Sequence, residues 1–496
     1  FFGLIMLAAS LPLSIYTTSL AEILLLANWI LEGKFNEKFN KLRSNKALWL
    51  IISIYLLHLV GLIYTTDYDY ALHDLKIKLP ILILPLVIGT SEKPGPERIK
   101  TILMFFVLSV VISTLISFAI FLEIIPYEYY DVREISIFIS HIRLALMVNL
   151  SAFILVYYSL ISPKELRIKR IYRFIIVLPV FTWLAFFLIV LKSFTGVIVF
   201  ICVSFILAWL LSKRLNRKTI KHSIRILLIF IPVFLASYLV KSINTFYDRE
   251  EIDLSKLEKF TEEGNKYYHD TTQKSIENGY YVWIYINEKE LKREWNKRSD
   301  LNYEGRDNKG QFIKYTLIRY LASKGLRKDA QGVEQLTKED IAAIENGMAN
   351  YIFKEKYSLY PRLYEIIWEI DGYLRGKDPS GHSVAQRIVY LNAAKEIIRD
   401  NFIVGVGTGD VQVAFNNYYA DSDTQLKEHV RLRAHNQYAT FFITFGLVGF
   451  IIAMTGLFGP VFIMHKWRDY LFILFFLIAL LSMLNEDTLE TQTGVS

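Results

Sequence analysis

Two arginines, a histidine and an amide lie together just before an apolar run near the C-terminal end of the chain. The segment is Arg431-Leu-Arg-Ala-His-Asn-Gln437. Histidine can accept a proton near neutral pH, which makes His435 a candidate base with Asn436 beside it. Arginines bind phosphate oxygens through paired hydrogen bonds, so Arg431 and Arg433 are candidate ligands for a diphosphate. The alternative is an interfacial cluster that anchors the next helix.

Arg387 is a second candidate, near the start of a helix that Ser383 can cap. Leu391, Ala394 and Ile398 follow on the same helical face. A cation in a first helical turn opposes the helix dipole, but beside free N–H groups it would form a phosphate site. Position alone favours the alternative, an arginine that snorkels or pairs with an acid.

Ser140-His-Ile-Arg143 begins an apolar run on the predicted outer side of the membrane. Ionisable groups at membrane depth point to function by default, so His141 and Arg143 are further candidates. Arg133 and Arg143 are equally well explained as interfacial anchors.

Two other motifs indicate structure more than chemistry. The glycine-rich run Gly405-Val-Gly-Thr-Gly409 fits neither Rossmann nor Walker spacing, and it predicts a helix stop and tight turn. The triplets Asp67-Tyr-Asp69 and Asp421-Ser-Asp423 could bind a divalent metal with a diphosphate. Because such triplets are common by chance, solvated loop acids are the favoured interpretation and no metal site is predicted.

The composition indicates that these residues belong to a membrane protein. Of 496 residues, 53% are hydrophobic, and the mean hydropathy is +0.31, above the range typical of soluble domains. The net charge is +8, but the basic residues cluster in short connections between apolar runs. Membrane orientation explains them better than nucleic-acid binding does. The single cysteine, Cys202, excludes a disulfide within one chain.

Apolar runs predict an all-α, polytopic membrane helix bundle of about eleven helices. The predicted spans are Phe1 to Leu13, Leu20 to Ile30, Ala47 to Tyr64, Leu79 to Thr90, Thr101 to Ile124, Ile139 to Ile161, Phe174 to Leu191, Thr195 to Leu211, Ile226 to Val240, Gln437 to Met464 and Leu471 to Leu484. Both chain ends look trimmed, so a twelfth helix is expected in the full protein.

Four connections rich in lysine and arginine alternate with basic-poor ones, and the positive-inside rule makes the basic set cytoplasmic. They lie at 34–46, 93–100, 164–173 and 213–225. The sequence thus predicts an N-terminal bundle over 1–241, a mostly helical periplasmic domain over 242–434, and C-terminal membrane helices over 435–496. In the outer domain, a capping box is expected at Thr337–Asp340 and a helix start at Pro361.

Layout and motifs together resemble the O-antigen ligase family, which includes O-antigen polymerases and protein O-oligosaccharyltransferases. The motifs are Arg387, the run Asn401 to Asp410, Ala434-His-Asn-Gln-Tyr438 leading into Phe445-Gly-Leu-Val-Gly449, and the acidic stretch Asn485 to Gln492. The layout covers nearly the whole chain, and the specific motifs cover 387–449 and the tail.

The resemblance implies a membrane-embedded glycosyltransferase of the bacterial inner membrane that needs no ATP, cofactor or metal. The donor would be an undecaprenyl-diphosphate glycan, and the acceptor a hydroxyl of lipid A-core oligosaccharide. His435 and Arg387 would correspond to the family's functional histidine and arginine. Where the family often has a Ser-Arg pair, this chain has Lys192-Ser-Phe-Thr-Gly196, with Phe194 in place of arginine. Lys192 or Arg143 would then supply the missing cation.

Several alternatives remain open at the level of sequence. Polymerisation of glycan repeats and transfer to protein fit the same motifs as ligation. A transporter of lipid-linked glycans would show internal repeats and midplane charges, and neither is evident in the sequence. A membrane scaffold would leave Arg387 and His435 far apart.

Overall fold

The computed structural model describes residues 1–129, 131–162, 170–213, 215–250, 252–253, 256–273, 275–355, 360–422 and 424–496. Two of the predicted cytoplasmic connections lie partly outside the described residues, at 163–169 and at Arg214. Asp423 of the second acidic triplet lies outside them as well.

Helices make up nearly all of the regular structure. In chain order they are α1 (Phe2–Ser10), α2 (Ile15–Leu31), α3 (Phe35–Ser44), α4 (Lys46–Gly61), α5 (Tyr68–Lys78), α6 (Pro80–Thr90), α7 (Pro96–Phe121), α8 (His141–Val156), α9 (Arg170–Val190), α10 (Phe194–Ser212), α11 (Lys218–Tyr247), α12 (Glu288–Arg298), α13 (Ile313–Ser323), α14 (Ala330–Glu334), α15 (Lys338–Glu345), α16 (Tyr360–Leu374), α17 (Ser383–Asp400), α18 (Val411–Asp421), α19 (Gln437–Ile463), α20 (Tyr470–Met483) and α21 (Gln492–Val495). Strands β1 (Ile276–Glu277) and β2 (Tyr280–Tyr281) form an antiparallel hairpin.

Each predicted apolar run coincides with a helix, and the predicted all-α bundle is confirmed. Within the described residues, five helices are long and apolar enough to cross a membrane. They are α7, α8 with its π-helical extension to Ile161, α10, α11 and α19. The pair α3 and α4 meets at 90° and counts as a sixth candidate if it is one broken span. The apolar stretches of α2, α9 and α20 are shorter.

The chain divides into two compact units. Unit 1 comprises 1–221 and 386–496, and unit 2 comprises 222–385. The segment 386–434, which the sequence analysis assigns to the outer domain, thus packs in the same unit as the membrane helices.

Helix α8 lies at the centre of the larger apolar core in unit 1. Its Asn149, fully buried, donates hydrogen bonds to the carbonyls of Ala145 at 3.1 Å and Gly196 at 2.9 Å. The first bond lies within α8 and the second joins α8 to α10, and such bonds satisfy a polar group that would otherwise be unpaired in an apolar environment. The bond to Gly196 fixes the start of α10 against the middle of α8.

In unit 2, α12, α13, α14 and α15 surround Trp295, Leu317 and Val333, whose side chains are fully buried. The predicted capping box is confirmed, because the Thr337 and Asp340 side chains each accept the other residue's backbone N–H.

Helix α19 is interrupted at Gly446 by the glycine-rich run that follows α17. The backbone there has φ 62° and ψ −167°, a region that is essentially restricted to glycine. Four backbone hydrogen bonds join the two segments: Val406 to Ile443 at 2.8 Å, Gly407 to Thr444 at 3.0 Å, Leu447 to Phe402 at 2.7 Å and Val448 to Ile403 at 3.4 Å. These bonds pair backbone N–H and C=O groups that the break in α19 would otherwise leave without partners.

Replacing Gly446 by alanine is expected to destabilise unit 1. The added Cβ would overlap the backbone of Ile403 and Val404, and the dihedral angles alone cost roughly 1–3 kcal/mol for another residue. We expect a clearly lower midpoint of thermal unfolding for the detergent-purified protein. Gly95→Ala is the matched control, because Gly95 has φ −65° and no atom within 4 Å of an added Cβ. Equal unfolding midpoints for the two variants would contradict this account.

Candidate active site

Arg387 lies one turn inside α17 and contacts the segment that follows α20. Its Nη1 donates to Asn485 Oδ1 at 2.7 Å, and Asn485 Nδ2 donates to Thr195 Oγ1 at 2.6 Å. Thr195 lies in the first turn of α10, at the turn where the sequence has Phe194 in place of an expected arginine. One amide thus links three segments that are distant along the chain.

His435 occupies the last position but one before α19. Its φ of 48° lies in the left-handed region of backbone conformation. Few residues other than glycine adopt this conformation, although histidine does so more often than most. Asn436 caps α19 by accepting the N–H of Ala439 at 3.0 Å, and it donates to the carbonyl of Leu484 at 2.9 Å. The His435 ring lies 6.0 Å from that of Tyr390, one turn after Arg387 on α17.

The charges around His435 show which groups lie near it. Burial lowers the pKa of His435, and the guanidinium groups of Arg387 and Arg433 lower it further, while the carboxylate of Asp487 acts in the opposite direction. Since the ordinary pKa of histidine is about 6.5, this imidazole is neutral at pH 7. His435 can therefore accept a proton, and the charges of Arg387 and Arg433 act on its ring.

Arg433 is held by a network of buried charges. Its Nη1 donates to Tyr70 Oη at 2.8 Å, and its Nη2 lies 3.7 Å from Glu490 Oε2. Lys78 Nζ bridges Glu490 Oε2 at 2.8 Å and Asp74 Oδ2 at 2.6 Å. Burial raises the pKa of Glu490, but Lys78 and Arg433 outweigh it and hold this pKa well below its usual range. The negative charges of Asp74 and Glu490 are thus balanced by the positive charges of Lys78 and Arg433.

The segment 485–490 also fixes the first turn of α19. Thr440 Oγ1 donates to Asp487 Oδ1 at 2.7 Å, and Gln437 Nε2 donates to Glu490 Oε1 at 3.1 Å. Gln437 Oε1 in turn accepts the N–H of Leu489 at 2.7 Å. Sequence reasoning identifies this segment only as an acidic stretch, because nothing local indicates that it pairs with residues 47 and 53 positions earlier.

Glu486 and Arg143 line the wall of the same cavity. Burial raises the pKa of Glu486, and the charges of Arg387 and Arg143 oppose that rise. A cavity of about 480 Å³ borders Arg143 and Glu486. Its walls come mainly from apolar side chains of α1, α7, α8 and α20, together with residues 493–496. Arg143 and Glu486 thus border a space suited to an apolar chain.

Three other candidates, Arg431, His141 and Lys192, have other surroundings. Arg431 Nε donates to the carbonyl of Leu426 at 3.1 Å. His141 lies near the ion pair of Asp131 and Arg133. Lys192 is exposed in a left-handed turn with φ 50°. No contact of Lys192 with Arg387 or His435 is present among the described residues.

The first acidic triplet serves a structural purpose. Asp67 caps α5 by accepting the N–H of Tyr70 at 2.9 Å. Asp410, at the end of the glycine-rich run, accepts the backbone N–H groups of Thr66 at 2.7 Å and Asp67 at 2.8 Å. Within the described residues, no three side chains of His, Cys, Asp or Glu are grouped as metal ligands would be.

Residues 347–454 match the family model described as O-antigen ligase. The matched segment contains Arg387, the glycine-rich run, His435 and the break in α19. No curated protein matches the chain.

Proposed function

We propose that this chain, which belongs to the O-antigen ligase family through its 347–454 domain, transfers a glycan from undecaprenyl diphosphate to a hydroxyl acceptor. The acceptor is a sugar of lipid A-core oligosaccharide, and the reaction occurs at the periplasmic face of the inner membrane. The observation that carries the proposal is the junction at which Arg387 donates to Asn485 and Asn436 donates to Leu484, because it holds α17 beside His435, whose ring lies 6.0 Å from that of Tyr390.

The reaction is a direct displacement at the anomeric carbon. An acceptor oxygen forms the new bond to that carbon as the bond to the diphosphate oxygen breaks, and the diphosphate leaves with the electron pair. His435 takes the proton of the acceptor hydroxyl. Arg387 and Arg433, with Arg143 near Glu486, stabilise the charge that develops on the leaving group. The diphosphate ester already stores the energy, so no ATP is required.

The apolar cavity supports a lipid donor. A polyprenyl chain entering between α1, α7, α8 and α20 would place its diphosphate beside Arg143 and Glu486, which border the cavity. Arg387, whose charge acts on Glu486, would then meet the same diphosphate. In this arrangement Arg143, rather than the exposed Lys192, supplies the cation missing at Phe194.

Transfer activity should persist to lower pH than a free histidine base would permit. A general base must be deprotonated, and the lowered pKa of His435 keeps it so at mildly acid pH. We therefore expect the acid limb of kcat/KM to have its midpoint below 6.5. Asp487→Asn removes the carboxylate that raises this pKa and should move the midpoint further down. A midpoint above 6.5, or an upward move in the variant, would refute the assignment.

The decisive experiment is transfer in vitro from purified undecaprenyl-diphosphate glycan to lipid A-core, with and without chelator. Product formation in chelator supports the metal-free mechanism. Glycan binding without turnover would instead indicate a transporter. In a deletion strain, loss of all lipid-attached chains indicates a ligase, single-repeat attachment a polymerase, and loss of glycosylated protein alone the protein-modifying activity.

A further inference from the structure

Unit 2 contains a cavity of about 320 Å³, at the lower end of the size range of small-molecule sites. The hairpin of β1 and β2 forms one of its walls. Asn278 and Gly279 connect the strands with φ 48° and 90°, as a type I′ turn requires. Asn278 Nδ2 donates to the carbonyl of Ser323 at 3.0 Å, which fixes the hairpin against α13. The remaining wall residues come from the end of α11, from α13 and from the 364–377 segment.

Aromatic side chains line this cavity and remain partly open to it. Trp283, Trp368 and Phe246 are each only half-buried. The Phe246 ring packs against that of Tyr364, with centroids 5.0 Å apart. Aromatic rings that border a cavity, instead of filling a core, offer flat apolar faces to a ligand.

The acids of the cavity are already paired. Glu277, nearly fully buried, accepts hydrogen bonds from Arg319 Nε at 2.7 Å and from Asn350 Nδ2 at 2.7 Å. Asp371 pairs with Arg375 at 2.8 Å. Both carboxylates are therefore compensated within the wall.

Two cations of the same wall have no such compensation. Arg249 and Lys377 are exposed, and neither forms an ion pair with any acid among the described residues. Lys377 Nζ instead lies 5.7 Å from the centre of the Trp368 ring. The cavity as a whole has a surplus of positive charge beside an aromatic face.

We infer that this cavity is a binding site for an anionic saccharide, such as a glycan containing uronic acid. A pyranose ring has an apolar C–H face that stacks on an aromatic ring, and a rim of hydroxyl groups that bond to fixed side chains such as those of Arg319 and Asp371. A sugar carboxylate would pair with Lys377 and Arg249. A purely apolar ligand would gain nothing from those two charges. Binding at this site is separate from glycan transfer, so either proposal can fail alone.

The test measures binding of three probes to the full chain in detergent by titration calorimetry. The probes are a hyaluronan tetrasaccharide, which carries glucuronic acid, the neutral chitotetraose, and a tetraglutamate peptide. We expect the hyaluronan fragment to bind most tightly, with an affinity that falls as salt is added. Equal or tighter binding of tetraglutamate, or no binding of hyaluronan, would overturn the inference.

Variants locate the binding within the cavity. Trp368→Ala should weaken hyaluronan binding by about tenfold, whereas Phe260→Ala, at an exposed aromatic of the same unit, should leave it unchanged. Lys377→Glu alters an exposed side chain, so it tests the site even if Trp368→Ala fails to fold. It should weaken the hyaluronan affinity, and Lys338→Glu, at an exposed lysine on α15, should not. Wild-type affinity in the Lys377 variant, or in a folded Trp368 variant, would refute the site.

Discussion

His435→Ala is expected to reduce transfer by about 10²–10⁴-fold, the range typical of losing a general base, while the protein still inserts and folds. The imidazole projects from the segment before α19, whose first turn is fixed by Asn436, Thr440 and Gln437. Removing the ring therefore leaves those hydrogen bonds intact. The measurement is the initial rate of glycan transfer from purified undecaprenyl-diphosphate donor at saturating acceptor.

His429→Ala is the matched control for this variant. His429 lies six residues earlier, in an exposed 3-10 turn spanning Glu428–Val430. Its replacement should leave the transfer rate unchanged. If His435→Ala retained the wild-type rate in a folded protein, the assignment of this residue as base would have to be abandoned.

Arg387→Ala is expected to lower kcat by about 10²–10³-fold, as the loss of one charge-stabilising donor typically does. Its guanidinium donates to Asn485 and acts on both His435 and Glu486. Removing it should also raise the pKa of His435, because one of the cations that lower that pKa is gone. The acid limb of the pH profile should therefore move upward as the rate falls, a combination that misfolding does not produce.

Arg387→Lys distinguishes geometry from charge. Lysine keeps the charge but lacks the planar fork that binds a phosphate with two hydrogen bonds, so a partial rescue is expected. Arg399→Ala serves as the control because Arg399 lies on the same helix with its side chain 71% exposed. Comparable losses in the Arg387 and Arg399 alanine variants would show that the effect belongs to α17 as a whole and not to Arg387.

Local patterns in the sequence predict several elements of this fold. Apolar runs predict the membrane helices, and the Thr337–Asp340 box predicts the start of α15. The glycine-rich run predicts the end of α17. Each of these signals lies within a few residues of the structure it describes, which is why each can be recognised without knowledge of the fold.

Contacts between distant segments could not be predicted in the same way. Lys78 and Glu490 are separated by 412 positions, and no periodicity or spacing connects them. Asp67, interpreted from its acidic triplet as a solvated loop acid, caps α5. Sequence reasoning identifies residue types capable of chemistry, but the partners that orient them arise only from packing.

The exchange of backbone hydrogen bonds between 402–407 and 443–448 has a mechanical consequence. Because α17 and α19 are joined there by main-chain bonds instead of side chains, neither can slide along its axis without breaking several of these bonds at once. The helix that carries the guanidinium and the helix that follows the imidazole therefore move as one rigid piece. A change in the distance between that guanidinium and that imidazole would therefore require main-chain bonds at the Gly446 break to open.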